Sequence, residues 1–174
     1  FSLSADSVVQ MSNYVGFALQ QAVELKLESV LLGGHPGKLV KVAAGVFQTH
    51  SHVADARLET LCAHAALMGA PVKVIQRLYR AKTTEAAMDI IAASKLDAIW
   101  PRLAQAAACR CQTEVGGGLQ GAAAFIDNAG HVLGQSSNAL AVAKEVRDNA
   151  RINGGGSWAG QSGTINPSGA SGHR

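Results

Sequence analysis

Apolar positions change their spacing several times along the 174-residue chain, and each change marks a boundary. Val15, Ala18, Leu19, Ala22 and Val23 recur at helical spacing and predict a helix with one apolar face. Ahead of it, Ser7 to Met11 reads as a short strand, and Ser12-Asn13 offers short polar side chains that can cap the helix start. Glu28 and Ser29 break the helical period. Val30-Leu31-Leu32 is then short and continuously apolar, as a buried parallel strand requires. Leu39, Val42, Ala43 and Val46 predict a helix from Lys38 to Phe47, with Lys38 and Lys41 on its polar side. Leu58, Leu61, Cys62, Ala65 and Met68 predict another from about Val53 to Met68, stopped by Gly69 and Pro71.

The second half continues the alternation. Pro71 to Tyr79 is read as helix in preference to strand. Lys82-Thr83-Thr84-Glu85 has the hydroxyl and first-turn carboxylate of a helix start, and this helix should reach about Ser94. Ala98 to Thr113 is alanine-rich and helical, with Pro101 in its first turn. Gly116-Gly117-Gly118 is a link. Ala122 to Ile126 and His131 to Gly134 flank the turn Asp127-Asn128-Ala129-Gly130 and form a β-hairpin. Ala139 to Val146 supports a final helix. The predicted fold class is α/β: a Rossmann-like, mostly parallel sheet flanked by helices, with a C-terminal hairpin. Ligands in such sheets sit beyond the carboxyl ends of the strands, so Ser12-Asn13 and Gly34 to Lys38 should line one edge.

Composition narrows the function classes. An apolar fraction of 48% and a charged fraction of 16% describe one well-buried domain, placed at residues 1–150. From 151 to 174 the chain turns glycine- and serine-rich and reads as a flexible tail. A net charge of +3, without basic runs or interleaved aromatics, argues against nucleic acid. Cys62, Cys109 and Cys111 form no disulfide framework, which points to the reducing cytosol. No apolar run is long enough to span a membrane. The chain begins at Phe1 without an initiator methionine, as a fragment or processed product would.

The chemistry concentrates between Gly33 and Arg57. Gly34-His35-Pro36-Gly37-Lys38 resembles a phosphate loop in outline. It lacks that motif's first glycine, where Leu32 stands, and the hydroxyl after the lysine, where Leu39 stands. A helix start that favours an anion and a plain tight turn both remain open readings. Gly116-x-Gly118-x-x-Gly121 matches a dinucleotide fingerprint in letters but precedes a strand, so it reads as a linker. His50-x-His52 with Cys62, His64 and Asp55 lacks a second strong ligand pair for zinc. His50 and His52 suit hydrogen bonding or proton transfer better, and His64 reads as structural. Lys38, Lys41 and Arg57 can meet carboxylates or stand in solvent beside Asp55 and Glu59.

Three segments, VVQMSNYVGFALQQAVEL, LLGGHPGKLVKVAAGVFQTHSHVADARLETLCAHAALMGAP and TTEAAMDII, resemble the C-terminal half of the CbiD family. AAAFIDNAGHVLGQS resembles that family's closing hairpin, so the likeness covers about residues 6 to 148. Gly33 stands where an aliphatic residue is expected, and the family's N-terminal half and the tail after Arg151 fall outside the likeness. The resemblance implies cobalt-precorrin-5B methylation at carbon 1 in anaerobic cobalamin synthesis, with S-adenosylmethionine as donor. Cobalt enters only within the tetrapyrrole substrate, and no protein-held metal is implied. On this reading Lys38, Lys41 and Arg57 contact substrate carboxylates. Ser12, Asn13, Gly34, His35, Pro36 and Gly37 receive the donor, whose sulfonium needs carbonyls or a carboxylate. His50, His52 and Asp55 orient substrate or move a proton. Partners implied are the substrate and a separate N-terminal half or a second copy. The alternative is a binding module that cannot catalyse without that half.

Overall fold

The computed structural model describes residues 1, 3 and 5–153, which form an α/β fold around a three-stranded sheet. In chain order it has a 3-10 turn (Ala5–Ser7), α1 (Val15–Glu24), β1 (Ser29–Gly34), α2 (Pro36–Ala43), α3 (Arg57–Leu67) and α4 (Val72–Tyr79). There follow α5 (Thr84–Ala93), α6 (Ile99–Glu114), β2 (Gln120–Ile126), β3 (Val132–Gln135) and α7 (Ala139–Asn153). The predicted tail lies, beyond Asn153, outside the described residues.

The strand order is β1-β2-β3. β1 and β2 run parallel, with Leu31 opposite Ala122, and β3 returns antiparallel to β2 through the predicted hairpin. The sheet is therefore mixed, and the Rossmann-like, mostly parallel arrangement is not what forms. The missing strand is Ser7 to Met11. Val8 and Val9 are exposed and only Met11 packs against the core, so the segment has little apolar surface to bury by joining a sheet.

Side chains alternate across the sheet. Leu32, Ala123 and Phe125 join the main core beneath α6, while Leu31 and Ala122 pack with Ala139 and Val142 of α7 on the other face. Small residues bring α6 close. A Cβ on Gly121 would lie 2.7 Å from the Ala108 carbonyl oxygen, and one on Gly134 would lie 2.4 Å from the Pro101 nitrogen. Gly121 thus serves helix–sheet packing within β2 and is not part of a linker.

Helix ends depart from the periodicity for local reasons. α2 begins at Pro36, two residues early, because proline suits the first helical position and His35 caps it. It stops at Ala43, short of Phe47. Gly45 adopts φ +86°, and the amides of Gly45 and Val46 return to the carbonyls of Val42 and Lys41. α3 starts at Arg57, not Val53, because Val53 and Ala54 are still turning back onto the His50 carbonyl. α1 begins at Val15 after Tyr14, with no side-chain cap from Ser12 or Asn13.

Candidate functional site

β1 and β2 end side by side, and the chain that leaves each one builds an open cleft of about 300 Å³. His35 follows β1, and Asp127, Asn128 and Ala129 follow β2. Glu85, Met88 and Asp89 of α5 close the third side. This is the carboxyl end of a parallel pair, the position expected of a ligand site.

His35 is fixed by its own helix. Its Nδ1 accepts from the Gly37 amide at 3.2 Å, so in the neutral ring the proton sits on Nε2. That Nε2 is buried and has no hydrogen-bond partner. Gly37 leaves room for this arrangement. A Cβ there would meet His35 Nδ1 at 3.3 Å and Thr84 Oγ1 at 3.6 Å.

Thr84 links the cleft to the polar loop. Its buried hydroxyl accepts from Arg57 Nη1 at 3.0 Å. The other two arms of Arg57 hold Asp55, Nε to Oδ1 at 2.7 Å and Nη2 to Oδ2 at 2.6 Å. Those hydrogen bonds hold the Asp55 carboxyl down to about 2 and push the Arg57 guanidinium up. Asp55, expected to act in catalysis, is thus a weak base bound to a cation. Arg57, expected on substrate, is already committed to a carboxylate.

Glu85 sits in the first turn of α5, which Thr83 caps by accepting from the Ala86 amide. The backbone amide there holds the Glu85 carboxyl below its usual range, burial opposes this, and Thr83, His35 and Arg57 add to the lowering. Asp127 is likewise held down, chiefly by the His131 amide. The cleft therefore carries ionised carboxylates at neutral pH.

Lys41, expected on substrate, lies elsewhere than on the cleft. It is only 2% exposed, and its Nζ donates to the carbonyls of Thr49 and Ala54, each at 3.0 Å. It clamps the loop between α2 and α3, and both bonds commit its ammonium to that loop. Lys38 remains exposed. His50 and His52 stand exposed on that loop with stacked rings 5.2 Å apart, and His50 Nδ1 accepts from the His52 amide. Among the described residues no hydrogen bond joins them to the cleft. Ser12 and Asn13 end no strand, and the shared edge expected for them with Gly34 to Gly37 loses its basis. Asn13 instead pairs with Thr49, accepting from its amide and hydroxyl, beyond the far end of α2. No cluster able to hold a metal ion occurs among the described residues.

Thr84, Asp89 and the Asp127 turn were not singled out from the sequence as site residues. The turn that follows β2 becomes informative only once β2 is known to lie parallel to β1.

Residues 48–137, just over half of the chain, match the family described as CbiD, C-terminal domain. The chain belongs to this family. It is 53% identical over 102 residues to a protein of Edwardsiella ictaluri, covering 59% of this chain and 27% of that relative. A Desulfitobacterium hafniense protein is 43% identical over 140 residues, covering 80% of this chain and 36% of the relative. A Citrobacter koseri protein is 54% identical over 98 residues, covering 56% and 26%. All three carry the name cobalt-precorrin-5B C(1)-methyltransferase. No solved structure matches the chain. No described helix is long and apolar enough to cross a membrane. The chain thus spans about a quarter to a third of the curated relatives it matches.

Proposed function

We propose that this chain is the C-terminal part of a cytosolic cobalt-precorrin-5B C(1)-methyltransferase and that its cleft holds the amino-acid end of S-adenosylmethionine. The observation that carries the activity is the shared name of relatives 43–54% identical to it. The cleft supports the placement of the donor. His35 lines it, and the ring's buried, unpartnered Nε2–H suits a carboxylate once a small ring movement uncovers it; Glu85, Asp89 and Asp127 suit an ammonium and a sulfonium. The volume, about 300 Å³, is at the lower limit for a small-molecule site. It accommodates one end of the donor and leaves the remainder to the rest of the longer protein.

The sulfonium supplies a methyl group as an electrophile to carbon 1 of the ring. This chain's contribution is placement. His35, held by the Gly37 amide, and the carboxylates of Glu85 and Asp89 fix the donor end so that the methyl lies in line with the ring carbon. Lys38, exposed at the start of α2, is free to meet substrate carboxylates. His50 and His52 are left as solvent-facing groups able to touch substrate from the loop.

A second reading is favoured by the short span of the family covered: the chain binds donor or tetrapyrrole and turns over only when the rest of the fold is present. Calorimetric titration with S-adenosylmethionine and S-adenosylhomocysteine tests the placement. Saturable binding of both is expected, tighter for the sulfonium by about fivefold because carboxylates face it. Absence of binding by the folded chain removes the donor from this cleft.

A further inference from the structure

The two edges of the sheet are protected unequally. β3 is four residues long, and its ladder with β2 shifts register between Phe125 and Ile126, opposite Leu133, both devices that discourage further pairing. β1 has six residues, Ser-Val-Leu-Leu-Gly-Gly, without a charge, a proline or a bulge. The Gln120 amide donates to the Glu28 carbonyl, which sets the even-numbered residues of β1 toward β2. Leu31 and Gly33 therefore turn their N–H and C=O groups outward. Among the described residues these groups make no hydrogen bond, and Gly33 is exposed.

The segment that leads into this edge is also unusually apolar outside. Among the described residues, more than half of the large exposed hydrophobic side chains fall between residues 8 and 27, among them Val9 at 80%, Phe17 at 48% and Leu25 at 71% exposure. α1 buries Val15, Leu19 and Ala22 on one face and leaves Phe17, away from that face, exposed. Exposed large apolar side chains concentrated in the segment that enters β1 are candidates for cover by another part of the protein.

We propose that the free edge of β1, with the outer face of α1, seats the preceding part of the longer CbiD fold, which adds a strand beside Leu31 and Gly33. The length of the relatives supplies the occupant. The matched family is a C-terminal domain, and the D. hafniense relative has nearly two thirds of its length outside the match. Main-chain hydrogen bonds to Leu31 and Gly33 give affinity, and apolar side chains on Phe17 and Leu25 give register. The inference rests on the fold and the family, not on methyl transfer or the donor cleft.

The test is backbone amide exchange in two proteins: the isolated chain, and a fusion joining the preceding part of the D. hafniense relative to Phe1. Leu31 and Gly33 are expected to exchange at least about tenfold more slowly in the fusion, while Leu32, whose amide faces β2, changes little. Gly33→Pro in the fusion removes one outward donor and leaves the β1–β2 ladder whole; Leu31 then returns to fast exchange. Equal exchange of Leu31 and Gly33 in the two proteins overturns the proposal. So does a dimer of the isolated chain paired through that edge. The intact D. hafniense protein, read at the strand matching β1, decides the question in the same way where the fusion is insoluble.

Discussion

Lys41 donates from its buried ammonium to the carbonyl oxygen of Thr49, 3.0 Å away, and so ties the end of α2 to the histidine loop. A second bond to the Ala54 carbonyl closes the clamp. Both carbonyls belong to a loop with little apolar anchorage: His50, Ser51, His52 and Val53 are all exposed. Lys41→Met keeps the stem and removes three donors. It should destabilise the fold by about 2–3 kcal/mol, because two carbonyls lose a charged partner. Denaturant unfolding measures this, and an unchanged midpoint would show that the clamp contributes nothing.

Patterning located the elements better than the connections. The helix over Val72–Tyr79, the α5 cap at Thr83 and the hairpin around Asp127 follow from residues that act locally, and each forms as expected. The Ser7 to Met11 strand depended on a neighbour that the letters do not supply. Lys41 shows the same gap at the site. On a helical wheel it shares the polar side with Lys38, yet the loop folds back over it and buries it. The cleft itself needs β1 and β2 to be parallel neighbours across more than 80 residues of intervening chain, and no local pattern carries that pairing.

Acid should weaken the protein in two stages. Burial, with Arg102 nearby, pushes the His64 imidazole down, so the folded chain resists a proton that the unfolded chain accepts. Stability is therefore full above the ordinary histidine range near 6.5 and declines as pH falls below it. Asp55, held down to about 2 by Arg57, gives stability that is present above the ordinary carboxylate range near 4 and is lost as pH falls toward 2. The ion pair is partly exposed, so this second loss should be small and should shrink in salt. Thermal unfolding from pH 8 to pH 2 checks both. In Asp55→Asn the lower stage shrinks, with Glu85 and Asp127 still held down, and in His64→Gln the upper stage disappears.

Gly134 lets β3 lie against the first turn of α6. A Cβ there would stand 2.4 Å from the Pro101 nitrogen and 2.6 Å from the Trp100 carbonyl carbon, both backbone atoms that cannot step aside. Gly134→Ala should cost about 2–3 kcal/mol through forced separation of α6 from the sheet. The Trp100–Phe125 contact, with ring centroids 5.8 Å apart, lies in the same layer. Tryptophan fluorescence should therefore report the displacement. A variant with wild-type stability and an unchanged spectrum would contradict the close packing.

Gly37 separates stability from binding. Alanine is the better helix former by up to about 1 kcal/mol, and at Gly37 its backbone is unstrained. Its Cβ would nevertheless press on His35 Nδ1 at 3.3 Å, so the imidazole must yield by a few tenths of an ångström and loosen its bond to the Gly37 amide. The two effects oppose each other in the fold, and Gly37→Ala should change stability by less than about 1 kcal/mol. They do not oppose each other in the cleft, where the ring that offers Nε2 has moved. Binding of S-adenosylmethionine should weaken by about five- to tenfold, the loss of one imperfect hydrogen bond. Titration alongside thermal unfolding distinguishes the outcomes. Weaker binding at constant stability places His35 on the donor, and equal loss of both would reduce its role to capping α2.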